Sequence, residues 1–495
     1  MAKTRPYLFY DVALSICSTC YRKVEAKTVF QDDKVFLLKR CPQHGAEKIL
    51  IADDIDYYRR CREIFIKPPE MPLVYNTPVK WGCPYDCGLC TDHEQHSCLT
   101  LVEVCDYCNL RCPVCYAASG PERQQFRSLD QIEKMLDAVV RNEGHPDVVQ
   151  LSGGEPTVHP NFFEIVELAK ARPIRHLMVN TNGVRIAQEE DFVKRLAEVK
   201  EDFEVYLQWD SFEREPLMQL RGADLRRVRE DAIEKLNRYN ISTNLVVTLK
   251  KGLNDHEIGK TIDYALQQPC VRGVTFQPIQ DAGRLENFNP ATDRLTLTEV
   301  RRKILEQTNI FKPEDVIPVP CHPDSLAMAY ALKLNGKVTP LTSMIPPDVL
   351  INGAKNTILY EQEPVVRDGL FKLFATNHSP QSQAGTLREL LCCLPPVWIP
   401  NVRQASHSEP APCAAEEPGV PAITYENIFR IIIMQFIDAH SFDVRSVKKT
   451  CVHIVHPDGR LIPFDTYNLF YRDELEHTRL APLRKNAEAG LVPVG

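Results

Sequence analysis

A chain of 495 residues is too long for one compact core, so two to four structural units are expected. Hydrophobic residues at 44% and charged residues at 25% are ordinary for a globular protein, and a net charge of -7 gives no broad basic surface for nucleic acid. The unusual quantity is cysteine, at 18 residues. The opening stretch "MAKTRPYLFYDVALSICSTC" has no apolar leader, and the longest apolar run, "IFRIIIMQFI" (428–437), is too short to span a bilayer. A cytoplasmic, reducing setting is therefore expected, where clustered cysteines bind metal rather than pair.

In chain order, Cys17, Cys20, Cys41 and His44 form two knuckles in "CSTC" and "CPQH". Between them "KTVFQDDKVFLLKR" reads as two short strands around an Asp-Asp turn. This is the plan of a zinc-ribbon or rubredoxin-like module (residues 1–65) holding one zinc or iron ion. Residues 66–98 carry a Cys-x-x-x-Cys-x-x-Cys triad, Cys83, Cys87 and Cys90, in "WGCPYDCGLC". Cys98 is its nearest candidate fourth ligand and Cys105 the second, giving a closed auxiliary iron–sulfur cluster; the other reading leaves one iron open.

The same spacing recurs at Cys108, Cys112 and Cys115 in "CNLRCPVCYA". Here an apolar strand, "LTLVEV" (99–104), leads into the triad. Helices are expected over 129–142, in "NFFEIVELAKA", and over 188–198, 222–239 and 255–268. Between them lie the strands "PDVVQLSGGEP", "IRHLMVNTNG", "FEVYLQWDS", "ISTNLVVTL" and "VRGVTFQPI". Such alternation predicts an α/β fold, six βα units over 99–285 forming an open barrel with reactive residues at the carboxyl ends of the strands. An extension (286–398) holds the helix "EVRRKILEQT", Cys321, Cys392 and Cys393. Residues 399–423, rich in Pro, Ala, Ser and Glu, read as a linker in which Cys413 is not a ligand. A C-terminal α+β segment (424–495) holds Cys451. Cys321 and Cys451 are candidate ligands of a further cluster; Cys61 and Cys270 are assigned to packing.

Three cysteines leave one iron of a four-iron cubane without a protein ligand. The second triad, Tyr116 after it and the "GGEP" turn (153–156) together resemble the radical S-adenosylmethionine superfamily, over roughly residues 99–284. The resemblance implies a 4Fe-4S cluster on Cys108, Cys112 and Cys115 whose open iron is chelated by the cofactor's methionine part. Its products would be methionine and a hydrogen-abstracting 5'-deoxyadenosyl radical. It further implies that Gly153, Gly154 and Glu155 approach the methionine amino group, and that Asn180, Asn182, Gln208 and Asp210 face ribose and carboxylate. Asn254 and Gln277 are further candidates. Each of these polar strand-end residues also has a plain reading as a turn or cap residue.

The set "CxxC...CPxHG", "GCPYDCGLCxxHxxH" and "CNLRCPVCYA", with "SFDVRSVKKTCVHIVHPDGRLIPFDTYNLFYR" near the end, resembles the tetraether lipid synthase family, earlier described as a pterin methylase family. The resemblance implies one or two auxiliary 4Fe-4S clusters, a mononuclear iron, and carbon–carbon coupling of lipid-tail methyl ends. It departs at Asp465, where members often have cysteine, and at "CHPDS" (321–325), which has a single cysteine. Expected partners are a lipid or small-molecule substrate, an electron donor such as ferredoxin or flavodoxin and, with a lipid, the membrane periphery. The alternatives are radical methylation of a pterin or other small molecule, and a non-enzymatic multi-metal scaffold.

Overall fold

Strands β1 (Leu8–Ile16), β2 (Lys23–Gln31), β3 (Lys34–Cys41) and β4 (Gly45–Ala52) pair antiparallel in chain order. The expected Asp-Asp turn joins β2 to β3, with Asp32 and Asp33 both at positive φ, which Asp tolerates better than most residues. The two strands expected here are thus the middle pair of four. This computed structural model describes residues 5–334, 336–343, 345–353 and 425–489; the expected linker and Cys392, Cys393 and Cys413 lie outside them.

Six parallel strands follow, adjacent in sequence order: β5 (Leu99–Cys105), β6 (Val148–Gly153), β7 (His176–Thr181), β8 (Phe203–Gln208), β9 (Thr243–Leu249) and β10 (Val271–Pro278). Their residues are almost all buried, as helices cover one side and the barrel interior fills the other. The helix Leu129–Glu143 begins with a capping box between Ser128 and Gln131, and Leu297–Gln307 with one between Thr296 and Glu299. The helix expected over 188–198 is Glu190–Glu198, preceded by a short helix Val184–Gln188, and that expected over 222–239 is Arg226–Tyr239, since Gly222 at φ +75 ends a separate helix Arg214–Arg221.

Beyond the six units lie β11 (Ile317–Pro318), β12 (Leu326–Leu334), β13 (Lys337–Pro340), β14 (Ile428–Met434), β15 (Val452–Val455) and β16 (Leu461–Pro463). The apolar run at 428–437 supplies β14, which pairs parallel with β10, while β15 pairs parallel with β5. The C-terminal segment is therefore continuous with the barrel sheet, which it extends at both edges. Residues 435–451 connect one edge to the other across the open side. Inside, Leu99, Leu101, Met178, Tyr206 and Val246 pack with Ile432, Met434, Val452 and Phe464.

Candidate active site and metal centres

The second triad occupies the loop leaving β5. Gly153 and Gly154 pass so close to this loop that a Cβ would meet Cys105 O at 2.2 Å or Tyr107 O at 1.9 Å. Their turn is tied to it by Gly154 N to Cys105 O (2.7 Å) and Glu155 N to Tyr107 O (2.9 Å). From the far side Arg284, unnoticed in the sequence, donates to Cys112 O (2.7 Å), Ala118 O (2.9 Å) and Ser119 O (2.6 Å). Cys108 and Cys112 are buried and Cys115 is half-buried. Burial pushes the Cys108 and Cys112 thiols up, so their thiolates need a compensating cation, which an iron cluster provides.

The cavity at the barrel mouth brings the triad together with Tyr116, Gly153, Gly154, Glu155, Asn180, Asn182, Gln208 and Gln277, all expected cofactor residues. Asn180 links Ser152 Oγ (3.4 Å) to Gln208 Nε2 (2.8 Å), and Asn182 Nδ2 donates to Asn109 Oδ1 (2.6 Å). The Glu155 carboxylate is saturated from within: Oε1 accepts from Thr157 Oγ1 (2.6 Å) and Thr181 Oγ1 (2.7 Å), Oε2 from Asn182 N (2.7 Å). That side chain locks the glycine turn to β7.

Two expectations are corrected. Asp210 does not line the cavity; it is fully buried and accepts from Arg221 Nε at 2.7 Å, Arg229 at 3.3 Å and Thr248 N at 3.1 Å. Asn254 is also outside the cavity, and its amide donates to Asp210 O (3.0 Å) and Thr248 O (2.9 Å), the turn reading. A cation that does line the cavity is Arg221, which donates to Gln208 Oε1 (2.7 Å) and Thr248 Oγ1 (2.9 Å) and interacts electrostatically with Cys112. In sequence it is one arginine among several ahead of Gly222, with no periodic signal to single it out.

The N-terminal knuckles close on one point. His44 Nδ1 lies 3.5 Å from both Cys17 and Cys41 Sγ, Cys20 Sγ lies 3.8 Å from Cys41 Sγ, and all four ligand atoms fall within 4.8 Å of one another. That fits a single tetrahedral ion. Strand β2 docks this module on the first triad, Lys23 N donating to Tyr85 OH (3.2 Å) and Lys23 Nζ to Trp81 O (2.9 Å).

Around the first triad, Asp86 Oδ2 accepts from Lys80 N (2.6 Å) and Gly82 N (2.9 Å), and Tyr471 OH accepts from Cys87 N (2.9 Å). Cys98 is not with this triad, contrary to expectation. It gathers with Cys321 and Cys451, all buried, their sulfurs within 4.8 Å and those of Cys321 and Cys451 3.1 Å apart. His96 Nε2 stands 3.6 Å from Cys98 Sγ, and its Nδ1 pairs with Glu143 Oε2 at 2.9 Å, as a metal-ligating imidazole is commonly oriented. Burial pushes Cys98 and Cys451 up. Cys105, the second option, donates instead to Tyr107 O (3.4 Å) and Glu155 O (3.5 Å). Neither of the two cysteines expected to complete the first triad is therefore placed with it. Asp465 ligates nothing here: Oδ1 accepts from Ile437 N (2.6 Å) and Oδ2 from Thr450 Oγ1 (3.0 Å), and burial pushes it up to about 7.

Comparison with known families matches residues 102–265 to the Radical SAM superfamily and residues 9–53 to the HMPTM N-terminal zinc ribbon domain. The 7,8-dihydro-6-hydroxymethylpterin dimethyltransferase of Methanocaldococcus jannaschii is 30% identical over 95% of this chain and 96% of its own. The chain belongs to that enzyme's family. It is a radical S-adenosylmethionine enzyme, with a 4Fe-4S cluster and S-adenosylmethionine as cofactors and further cysteine sites that fit auxiliary clusters. A GTP 3',8-cyclase of Syntrophomonas wolfei is 27% identical over 44% of this chain and 68% of its own. Streptococcus suis SuiB bound to S-adenosylmethionine aligns with 43% of this chain and 47% of its own, at 16% identity and a TM-score of 0.36. Among the described residues no helix is long and apolar enough to cross a membrane.

Proposed function

We propose that the chain methylates a pterin-like, flat nitrogen heterocycle by S-adenosylmethionine-dependent radical chemistry. The observation that carries this is the near full-length likeness to a pterin dimethyltransferase. The cavity supports it: Gln150, Gln208 and Gln277 line it together with Tyr116, Phe436 and Phe464. Of these amides Gln150 Nε2 is unpaired among the described residues, and a buried amide left so costs about 1–3 kcal/mol, a penalty that an alkyl chain cannot relieve and a heterocycle edge can. The coupling of lipid tails rests on the flanking modules alone and has less support.

In this reading Cys108, Cys112 and Cys115 hold the cluster, and the backbone of Gly153 and Gly154 with Asn180, Asn182 and Gln208 holds the cofactor. Reduced from outside by a donor of the ferredoxin or flavodoxin type, the bound pair supplies a 5'-deoxyadenosyl radical. Tyr116, Gln277 and the segment after β14 shape the far wall and exclude water. Cys83, Cys87 and Cys90 hold an auxiliary cluster beside it; Cys98, Cys321 and Cys451 form another metal site, and Cys17, Cys20, Cys41 and His44 hold a single ion.

The test is anaerobic, with reconstituted holoenzyme, dithionite, 7,8-dihydro-6-hydroxymethylpterin, excess S-adenosylmethionine and a reduced-folate-type methylene donor, because the S-adenosylmethionine cleaved to the radical keeps its methyl group in methionine and the transferred carbon must come from a second molecule. Methylated pterin, formed by wild type and not by Cys112→Ala, is the expected result. Formation of 5'-deoxyadenosine with no methylated pterin overturns the substrate reading; absence of both, in protein with full iron and sulfide, overturns the whole proposal.

A further inference from the structure

The cavity contains, mid-strand on β6, a polar group that nothing among the described residues satisfies. Gln150 sits mid-strand on β6, in register with Leu101 on β5, and both side chains line the cavity. It is only 3% exposed, and its Nε2 has no hydrogen-bond partner among the described residues. A buried amide nitrogen in that condition is an exception that calls for a cause, since such groups are nearly always paired. A plain packing position between Leu101 and Met178 would favour an apolar side chain.

The other walls indicate what would pair with it. Gln277 is already engaged, its Nε2 donating to Tyr206 OH at 3.1 Å. Phe436 stacks on Phe464 with ring centroids 3.9 Å apart and planes at 26°, and Tyr116 lies 4.9 Å from Phe464. The cavity thus offers an aromatic wall for a flat ring and one unspent N–H donor for its edge.

Resting on the pterin-class reading above, we propose that Gln150 selects the substrate by donating from Nε2 to a carbonyl oxygen or imine nitrogen on the edge of the heterocycle, whose face lies along Phe436. Gln150 is a specificity residue here: it touches the substrate and takes no part in bond making. The same donor excludes alkyl chains, which would leave it unpaired.

The experiment measures binding of 7,8-dihydro-6-hydroxymethylpterin to reconstituted holoenzyme by calorimetry. Wild type is compared with Gln150→Met, which keeps length and removes the donor, and with Gln150→Glu, which keeps the shape and presents an acceptor. Each variant is expected to bind about tenfold or more weakly, as loss of one buried hydrogen bond implies, with unchanged iron and sulfide content. A pterin analogue lacking the edge carbonyl is expected to lose affinity for wild type but little further for Gln150→Met. Wild-type binding of the pterin with equal binding by both variants overturns this inference and leaves the function reading standing. No binding by wild type overturns both. Should the variants fail to load iron, the analogue series on wild type decides: equal affinity with and without the edge acceptor sinks the proposal.

Discussion

Arg221 donates from Nε to the buried carboxylate of Asp210 at 2.7 Å while its guanidinium also donates to Gln208 Oε1 at 2.7 Å in the cavity wall. The pair fixes a positive charge that interacts with Cys112, the residue proposed above as a cluster ligand. Asp210→Asn would leave Arg221 and Arg229 buried without their counter-charge, at a cost of about 3–5 kcal/mol. Denaturant unfolding checks this, alongside iron content; a variant as stable as wild type would show that the arginines find another partner.

Because Cys98 groups with Cys321 and Cys451, Cys98→Ser and Cys321→Ser should remove the same metal signal, and Cys98→Ser combined with Cys321→Ser should remove no more. Cys87→Ser should remove a different one. Metal counts with electron paramagnetic resonance of the reduced protein separate the cases, and loss of the Cys87 signal in Cys98→Ser would contradict the grouping.

Asp465 gives stability a pH dependence that can be measured where iron–sulfur protein survives. Burial raises its folded pKa to about 7 from the ordinary 3.8, so between these values the folded state holds more protons than the unfolded. Stability therefore falls as pH rises through this window, by on the order of 4 kcal/mol in full and about 2 kcal/mol between pH 5.5 and 8. Asp465→Asn should flatten that slope in denaturant midpoints, and an unchanged slope would assign it to other groups.

Arg284→Ala would remove a donor from three carbonyls of the triad loop, leaving Cys112 O only the longer bond from Cys115 N (3.3 Å). Gly154→Ala would push a Cβ into Tyr107 O. Both are expected to fold, as the barrel core is untouched, yet to load less than half the wild-type radical cluster, read as iron and sulfide per chain. Full loading would show the loop to be self-supporting.

The sequence displays the parts of this fold that depend on local pattern. Strand–helix alternation from Leu99 to Pro278 and the two knuckles at Cys17–Cys20 and Cys41–His44 are of this kind, because each is fixed by neighbours a few residues away. Cys98 lies beyond such reasoning: Cys451 is brought to it by β15 pairing with β5, and Cys321 comes from the loop between β11 and β12, contacts with no local signature. Asp210 and Asn254 misled for a related reason. Polar residues at strand ends look alike in sequence, and only the positions of Arg221 and Thr248 decide which turn inward as counter-charge or cap.

Strands β14 and β15 flank the six central strands, so the last walls of the cavity come from the final part of the chain. Met434, Phe436, Val452 and Phe464 are synthesised long after Cys108, Cys112 and Cys115. During translation the radical-bearing loop therefore emerges into an unfinished barrel open to oxygen and water. In the proposed reading a cluster inserted at that stage would be unprotected, so metal delivery to Cys108, Cys112 and Cys115 is best timed after chain completion, when Met434, Phe436, Val452 and Phe464 close the cavity.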